Sequence, residues 1–169
     1  MHPGLVDTLE NPSKERLRLW LRLFRASRTI EAQLRENLRT EFDTTLPRFD
    51  VMAALSRYEE GLKMSQLSGI LRVSNGNVTG IVDRLAKDGL LVRVPVPGDR
   101  RAWLVRLTRR GNEQFAAQAQ AHEQWIDTML SDFSAQEAQM INACFEQLDI
   151  RTDNKKPSEK KDKGRDHAN

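Results

Sequence analysis

Side chains that commonly carry covalent or metal chemistry are scattered through this sequence. Its three histidines are His2, His122 and His167, and its single cysteine is Cys144. None of them is paired with another at ligand spacing, so neither a metal nor a cofactor is expected. Cys144 falls on the apolar stripe of a helix, where a thiol packs more often than it reacts; a redox-sensing thiol is the alternative. The segment SNGNVTG lacks both the GxGxxG spacing and the Lys-Ser/Thr of a phosphate loop. No pair of carboxylates stands out from ordinary helix-surface positions. No residue is assigned a catalytic role, and the chain is read as something other than an enzyme.

What remains are amides, hydroxyls and arginines, and these are grouped. In SNGNVTGIVDRLAKDG, Val78, Ile81, Val82 and Leu85 recur at helical spacing and face inward. The wheel then turns Gly76, Gly80, Asp83 and Lys87 outward, with Asn77, Thr79 and Arg84 beside them. Two glycines on a solvent face cost roughly 1 kcal/mol each against alanine. That cost is intelligible if the face must approach another surface closely. A DNA major groove admits a helix, whose first turns would here offer Ser74, Asn75, Asn77 and Thr79 to bases and phosphates. The stretch VPVPGDRRAWLV follows, with Asp99 beside Arg100 and Arg101 at a turn. A basic ribbon next to such a helix can send an arginine into the narrow minor groove. Asp99 would hold one guanidinium in a fixed orientation. A surface ion pair alone explains the aspartate but not the second arginine.

Charge is segregated in the same way. Residues 14–39 carry eight basic and three acidic groups, residues 84–110 eight and two, and the tail from Arg151 seven and four. The net charge of the whole chain is only +3, so the rest is strongly acidic. Such segregation favours a polyanionic partner over a uniformly solvated surface.

The elements that would position these groups can be read in order. SKERLRLWLRLFRASRTIEAQLRENLRTEF, from Ser13 to about Phe42, is free of proline and glycine and reads as one long helix. A second helix starts near Pro47, with Phe49, Met52 and Leu55 on one face. Ser65 is expected to cap a short helix with Leu67, Ile70 and Leu71 inward, and Ser74 to cap the next, stopped by Gly89. The pair has helix-turn-helix spacing. LLVRVPVPGDRRAWLVRL alternates apolar and basic residues as a half-exposed hairpin, its edge blunted by Pro95 and Pro97. Thr108 caps another long helix, and Ser134 with Glu137 forms a capping box for the last, which carries Met140, Ile141, Cys144, Phe145 and Leu148. The expected fold is mainly α with a small β-hairpin wing: a winged helix-turn-helix domain over residues 46–108, a helical dimerisation region over 13–45 and 109–150, and a disordered basic tail over 151–169. Within the domain, the recognition helix covers about 74–88 and the wing about 90–107. Terminal helices longer than so small a core needs point to a homodimer. No apolar run reaches the roughly 18 residues of a membrane span. The N-terminus shows no apolar run of signal-peptide length, so a cytoplasmic location is expected.

SQLSGILRVSNGNVTGIVDRLAKDGLLVRVPVPGDRRAWLVRLTRRG resembles the MarR family of winged helix-turn-helix regulators, above all in VDRL, DGLLVR and GDRRAWLVRLT. The helix order from residue 13 to 150 agrees with it. The resemblance implies a dimer reading a pseudo-palindromic double-stranded DNA operator. Ser74, Asn75, Asn77 and Thr79 would serve the major groove, and Arg100 or Arg101 the wing tip, positioned by Asp99 and Asp83. Gly80 stands where many relatives carry a long polar residue. LRLFRASRTIEAQLRENLRTEFDTTLPRFDVMAAL is also similar to the branch answering to aromatic carboxylates or their CoA thioesters. In that reading Arg18, Arg22 and Arg25 bind an anionic effector beside Trp20, Phe24, Phe49 and Met52; the same arginines equally suit a solvated or dimer-interface stripe. The implied function is repression of aromatic-acid catabolic genes, with an architectural or redox-responsive DNA-binding protein as the alternative.

Overall fold

The computed structural model describes residues 11–153 except Pro97; the side chains of Arg100, Arg101 and residues 149–153 lie outside that description. The described residues fall into two compact units, 11–129 and 130–153. In the first unit, α1 (Pro12–Phe42) starts where Asn11 Oδ1 accepts the Ser13 amide at 3.0 Å. It ends at Asp43, in the left-handed region. Of its residues only Leu34 and Leu38 are buried, and everything from Pro12 to Arg22 is exposed. Next, α2 (Leu46–Leu55) buries Phe49, Val51, Met52, Ala54 and Leu55, one more face than a single stripe provides.

The first departure from expectation is β1 (Leu62–Lys63), a strand too short to show any alternation. It pairs with the hairpin through Leu62–Val105 and Lys63–Leu104. Gly61 makes this possible: its φ is +92°, and a Cβ there would lie 2.7 Å from the Val105 carbonyl oxygen. The strand fixes where α3 (Met64–Leu71) begins. Lys63 is the cap, its amide donating to Gln66 Oε1 at 2.9 Å, and Ser65 lies inside the first turn. The helix consequently turns Leu67 fully inward and leaves Ile70 46% exposed, correcting its expected inward place.

The next helix, α4 (Asn75–Lys87), follows Ser74 and buries Val78, Val82 and Leu85 completely. Gly89, at φ +73°, ends it as expected. The hairpin is β2 (Leu91–Val96) and β3 (Asp99–Leu107), giving an antiparallel sheet of order β1-β3-β2 with Pro95 on the edge strand. Leu91 pairs with Leu107 and Arg93 with Val105. Opposed residues share a face, so Arg93 lies on the side of the buried Leu91 and Val105, while Val92 faces out. The alternation is real, but its basic residue points toward α4.

The first unit closes with α5 (Arg109–Met129), capped as expected: Thr108 Oγ1 accepts the Gly111 amide at 3.0 Å and donates to the Gly89 carbonyl at 2.8 Å. Gln118 is completely buried on α5, and neither atom of its amide has a partner among the described residues. A buried polar group left unpaired costs about 1–3 kcal/mol. Gln118→Met keeps the length of the side chain and removes both polar atoms. It is expected to raise the thermal midpoint by about 3–6 °C; a fall in differential scanning calorimetry would show that the amide is satisfied.

The second unit holds α6 (Ala135–Asp153), opened by the predicted box: the Ser134 amide donates to Glu137 Oε2 at 2.8 Å, and the Glu137 amide to Ser134 Oγ at 3.3 Å. Met140, Ile141, Phe145 and Leu148 are exposed. Cys144 is exposed too, against the expectation that it packs inward. The helix runs through Asp153, into the stretch expected to begin a disordered tail at 151; residues 154–169 lie outside the described residues. Among the described residues no helix is long and apolar enough to cross a membrane.

Candidate nucleic-acid interface

The polar end of α4 is presented to solvent. Ser74, Asn75, Asn77 and Thr79 are all exposed. Ser74 caps with its backbone, its carbonyl accepting the amides of Asn77 and Val78 at 3.1 and 3.3 Å, and its hydroxyl makes no cap bond. That hydroxyl stays available to a phosphate at the positive end of the helix dipole. Thr79 donates its hydroxyl to the Asn75 carbonyl at 2.8 Å, which anchors its rotamer and leaves the oxygen as an acceptor. A Cβ added at Gly76 or Gly80 would meet nothing within 4 Å. Arg84, further along the same helix, is exposed as well.

The wing stands next to this surface. Asp99 opens β3, directly after Gly98 at φ +82°, and the backbones of Arg100 and Arg101 belong to the same strand. Asp83, expected beside the tip, is paired with Arg93 at 2.5 Å near the base of the hairpin. This ion pair ties α4 to β2, and it was hidden because a period-2 pattern does not say which residue set faces the helix. Trp103 is half exposed on β3, directly opposite Pro95, and adds an aromatic surface that charge patterning passed over.

The residues expected to hold an effector fall into two groups that the single chain does not bring together. Arg18, Trp20, Arg22, Phe24 and Arg25 lie on the exposed part of α1. There Arg18 pairs with Glu15, and the Trp20 and Phe24 rings are 5.7 Å apart. Phe24 and Arg25 also line an open groove on α1 with Leu21, Arg28, Thr29, Ala32 and Gln33. Phe49 and Met52 are instead core residues, 7% and 1% exposed. Phe49 stacks on His122 at 4.8 Å and lies 5.6 Å from the Phe115 ring. Burial lowers the His122 pKa, which favours the neutral ring against Phe49. Asp50, next to Phe49, is exposed, and Arg35 and Glu31 act on its carboxyl in opposite senses.

This geometry is shared by known proteins. The MarR family profile matches residues 42–102, from the last residue of α1 into β3. A MarR family transcriptional regulator from Silicibacter pomeroyi is 31% identical, superposes with a TM-score of 0.70, and is covered over 99% of its length by 85% of this chain. The transcriptional activatory protein BadR of Rhodopseudomonas palustris is 32% identical over 120 residues, 69% of this chain and 68% of BadR. The chain belongs to the MarR family. Its mainly helical architecture with a small three-stranded antiparallel wing is that of MarR winged-helix structures. This MarR-family chain also shares its fold, at 22% identity and a TM-score of 0.72, with Sco3205 of Streptomyces coelicolor, a structure solved in complex with DNA; 94% of each chain is covered.

Proposed function

We propose that this MarR-family protein is a homodimeric, ligand-responsive transcriptional regulator of aromatic-acid catabolic genes. It binds a pseudo-palindromic operator as a repressor, and an aromatic carboxylate or its CoA thioester releases it. The observation that carries the DNA reading is the exposed start of α4, where Ser74, Asn75, Asn77 and Thr79 surround a glycine face with no neighbours, set beside a basic hairpin. The domain plan of two DNA-reading elements over residues 46–108, flanked by dimerising helices, follows from it. A second copy suits the uncovered apolar residues Leu17, Leu21 and Phe24 of α1 and Met140, Phe145 and Leu148 of α6. The arginines and aromatic rings along α1 suit an anionic aromatic ligand once a second chain completes the groove.

The test combines a gel-shift with the DNA upstream of the gene and a thermal-shift screen. Operator binding should weaken steeply with salt, because neutralised phosphates release counterions. An aromatic acid or CoA thioester at a hundred times its Kd should add about 2.7 kcal/mol of stability and dissociate the complex. No preference for the upstream DNA would refute the DNA reading, and bound DNA with no responsive ligand would leave an architectural protein. The exposure of Cys144 favours one specific alternative, a redox-responsive regulator; release by peroxide that Cys144→Ser abolishes would select it.

A further inference from the structure

Two consecutive residues of α2 reach two different helices, and the charge of the third lies in the field of α1. Arg48 reaches the end of α4, its Nη2 2.6 Å from Asp88 Oδ2. Phe49 lies against Phe115 and His122 of α5. Asp50 feels Arg35 and Glu31 of α1. Asp88 is the residue that caps α4, directly before the left-handed Gly89 that terminates it. From the α5 side the same end is held by backbone contacts: Arg110 donates to the Asp88 carbonyl at 3.3 Å, Thr108 Oγ1 to the Gly89 carbonyl at 2.8 Å, and the Thr108 amide to the Leu90 carbonyl at 3.0 Å. From α2, the end of α4 is held by the Arg48 ion pair. The Arg48 side chain is 22% exposed and its Nε is buried without a partner among the described residues, so the group is held for this one contact at the expense of another.

We propose that Arg48 is a positioning residue: through Asp88 it sets the orientation of the recognition helix and joins that helix to α5, which packs on its neighbour Phe49. Because Phe49 and Arg48 share one turn of α2, a displacement in the aromatic cluster rotates the arginine that holds α4. Coupling of this kind requires an element with two discrete arrangements that both sites bias, and in this proposal α2, shifting as one body, is that element. The DNA arm of the test rests on the proposed function; the exchange arm does not.

The full-length protein is compared with Arg48→Met, Asp88→Asn and the double variant. In the absence of DNA, hydrogen exchange at the Asp88 and Leu90 amides, which bond the carbonyls of Arg84 and Leu85, should speed up several-fold in both single variants. The melting midpoint should hardly move, as for other half-exposed ion pairs. With DNA, each single variant should lose upstream-DNA affinity by roughly tenfold, and the double variant no more than the weaker single one. Affinity for a random duplex should only follow charge, slightly down for Arg48→Met and slightly up for Asp88→Asn. That opposition separates positioning from simple electrostatics. Asp88→Asn binding the upstream DNA more tightly, or losses that add in the double variant, would overturn the proposal. If the wild type shows no preference for upstream over random duplex, the DNA reading fails, and unchanged exchange at Leu90 in Arg48→Met overturns the link independently. Should Arg48→Met not fold, Asp88→Asn decides.

Discussion

Replacing Arg100 and Arg101 together by alanine is expected to lower affinity for the upstream DNA about 100-fold, as the loss of two groove or phosphate contacts implies. Folding and self-association should be retained, because both arginines sit in a strand at the hairpin tip, away from the buried cluster of Val78, Val82, Leu85, Leu91 and Val105. The slope of log affinity against log salt should become shallower by about two, one for each cation that no longer displaces a counterion. Fluorescence anisotropy across a salt series measures both quantities, with circular dichroism as the control for folding. An affinity within twofold of wild type would remove the wing from the interface and leave α4 to read the DNA alone.

The largest loss of stability is expected from Gly111→Ala. Gly111 is buried in the first turn of α5, and a Cβ there would stand 2.0 Å from the Leu90 carbonyl oxygen and 3.2 Å from Leu107 Cδ2. The carbonyl cannot easily retreat. It accepts the Thr108 amide at 3.0 Å, while the Leu90 amide is bonded to the Leu85 carbonyl at 2.9 Å. Overpacking against backbone costs about 3 kcal/mol, which outweighs the ~1 kcal/mol that alanine gains over glycine in a helix. A fall in the thermal midpoint of roughly 5–10 °C should result. Gly69→Ala is the matched control: it is also helical, but its Cβ would meet nothing within 4 Å. A Gly111→Ala midpoint equal to that of the control would mean that α5 stands further from Leu90 than described.

Legibility in the sequence followed the range of the forces involved. Thr108, Gly89 and the Ser134–Glu137 pair act within a few residues of themselves, and their roles could be read from type and spacing. The recognition helix was legible because Val78, Val82 and Leu85 repeat over enough turns to fix a face. Ile70 was misplaced because α3 is phased by β1, a two-residue strand whose partner lies more than forty positions away and which leaves no periodic trace. Arg93 was legible as a strand residue but not as the partner of Asp83, since alternation defines two faces without naming the inner one. Phe49 and Met52 read as pocket candidates because burial in a core and burial under a ligand have the same sequence pattern. Cys144 and the stripe around it were expected to be covered, and no described residue of their own unit covers them. An apolar helix face states only that something packs on it, not whether that is its own chain.

The empty space beside Gly76 and Gly80 bears on how such a protein could change its target. A Cβ at Gly80 would meet nothing within 4 Å, and the helix would gain about 1 kcal/mol in propensity. On the DNA-reading proposal, the positions nearest the bases are therefore the ones least constrained by packing. Operator preference can drift through single substitutions there while the scaffold beneath, fixed by Val78, Val82 and Leu85, is left intact. The two glycines make the recognition surface a blank that selection, or an engineer, can write on.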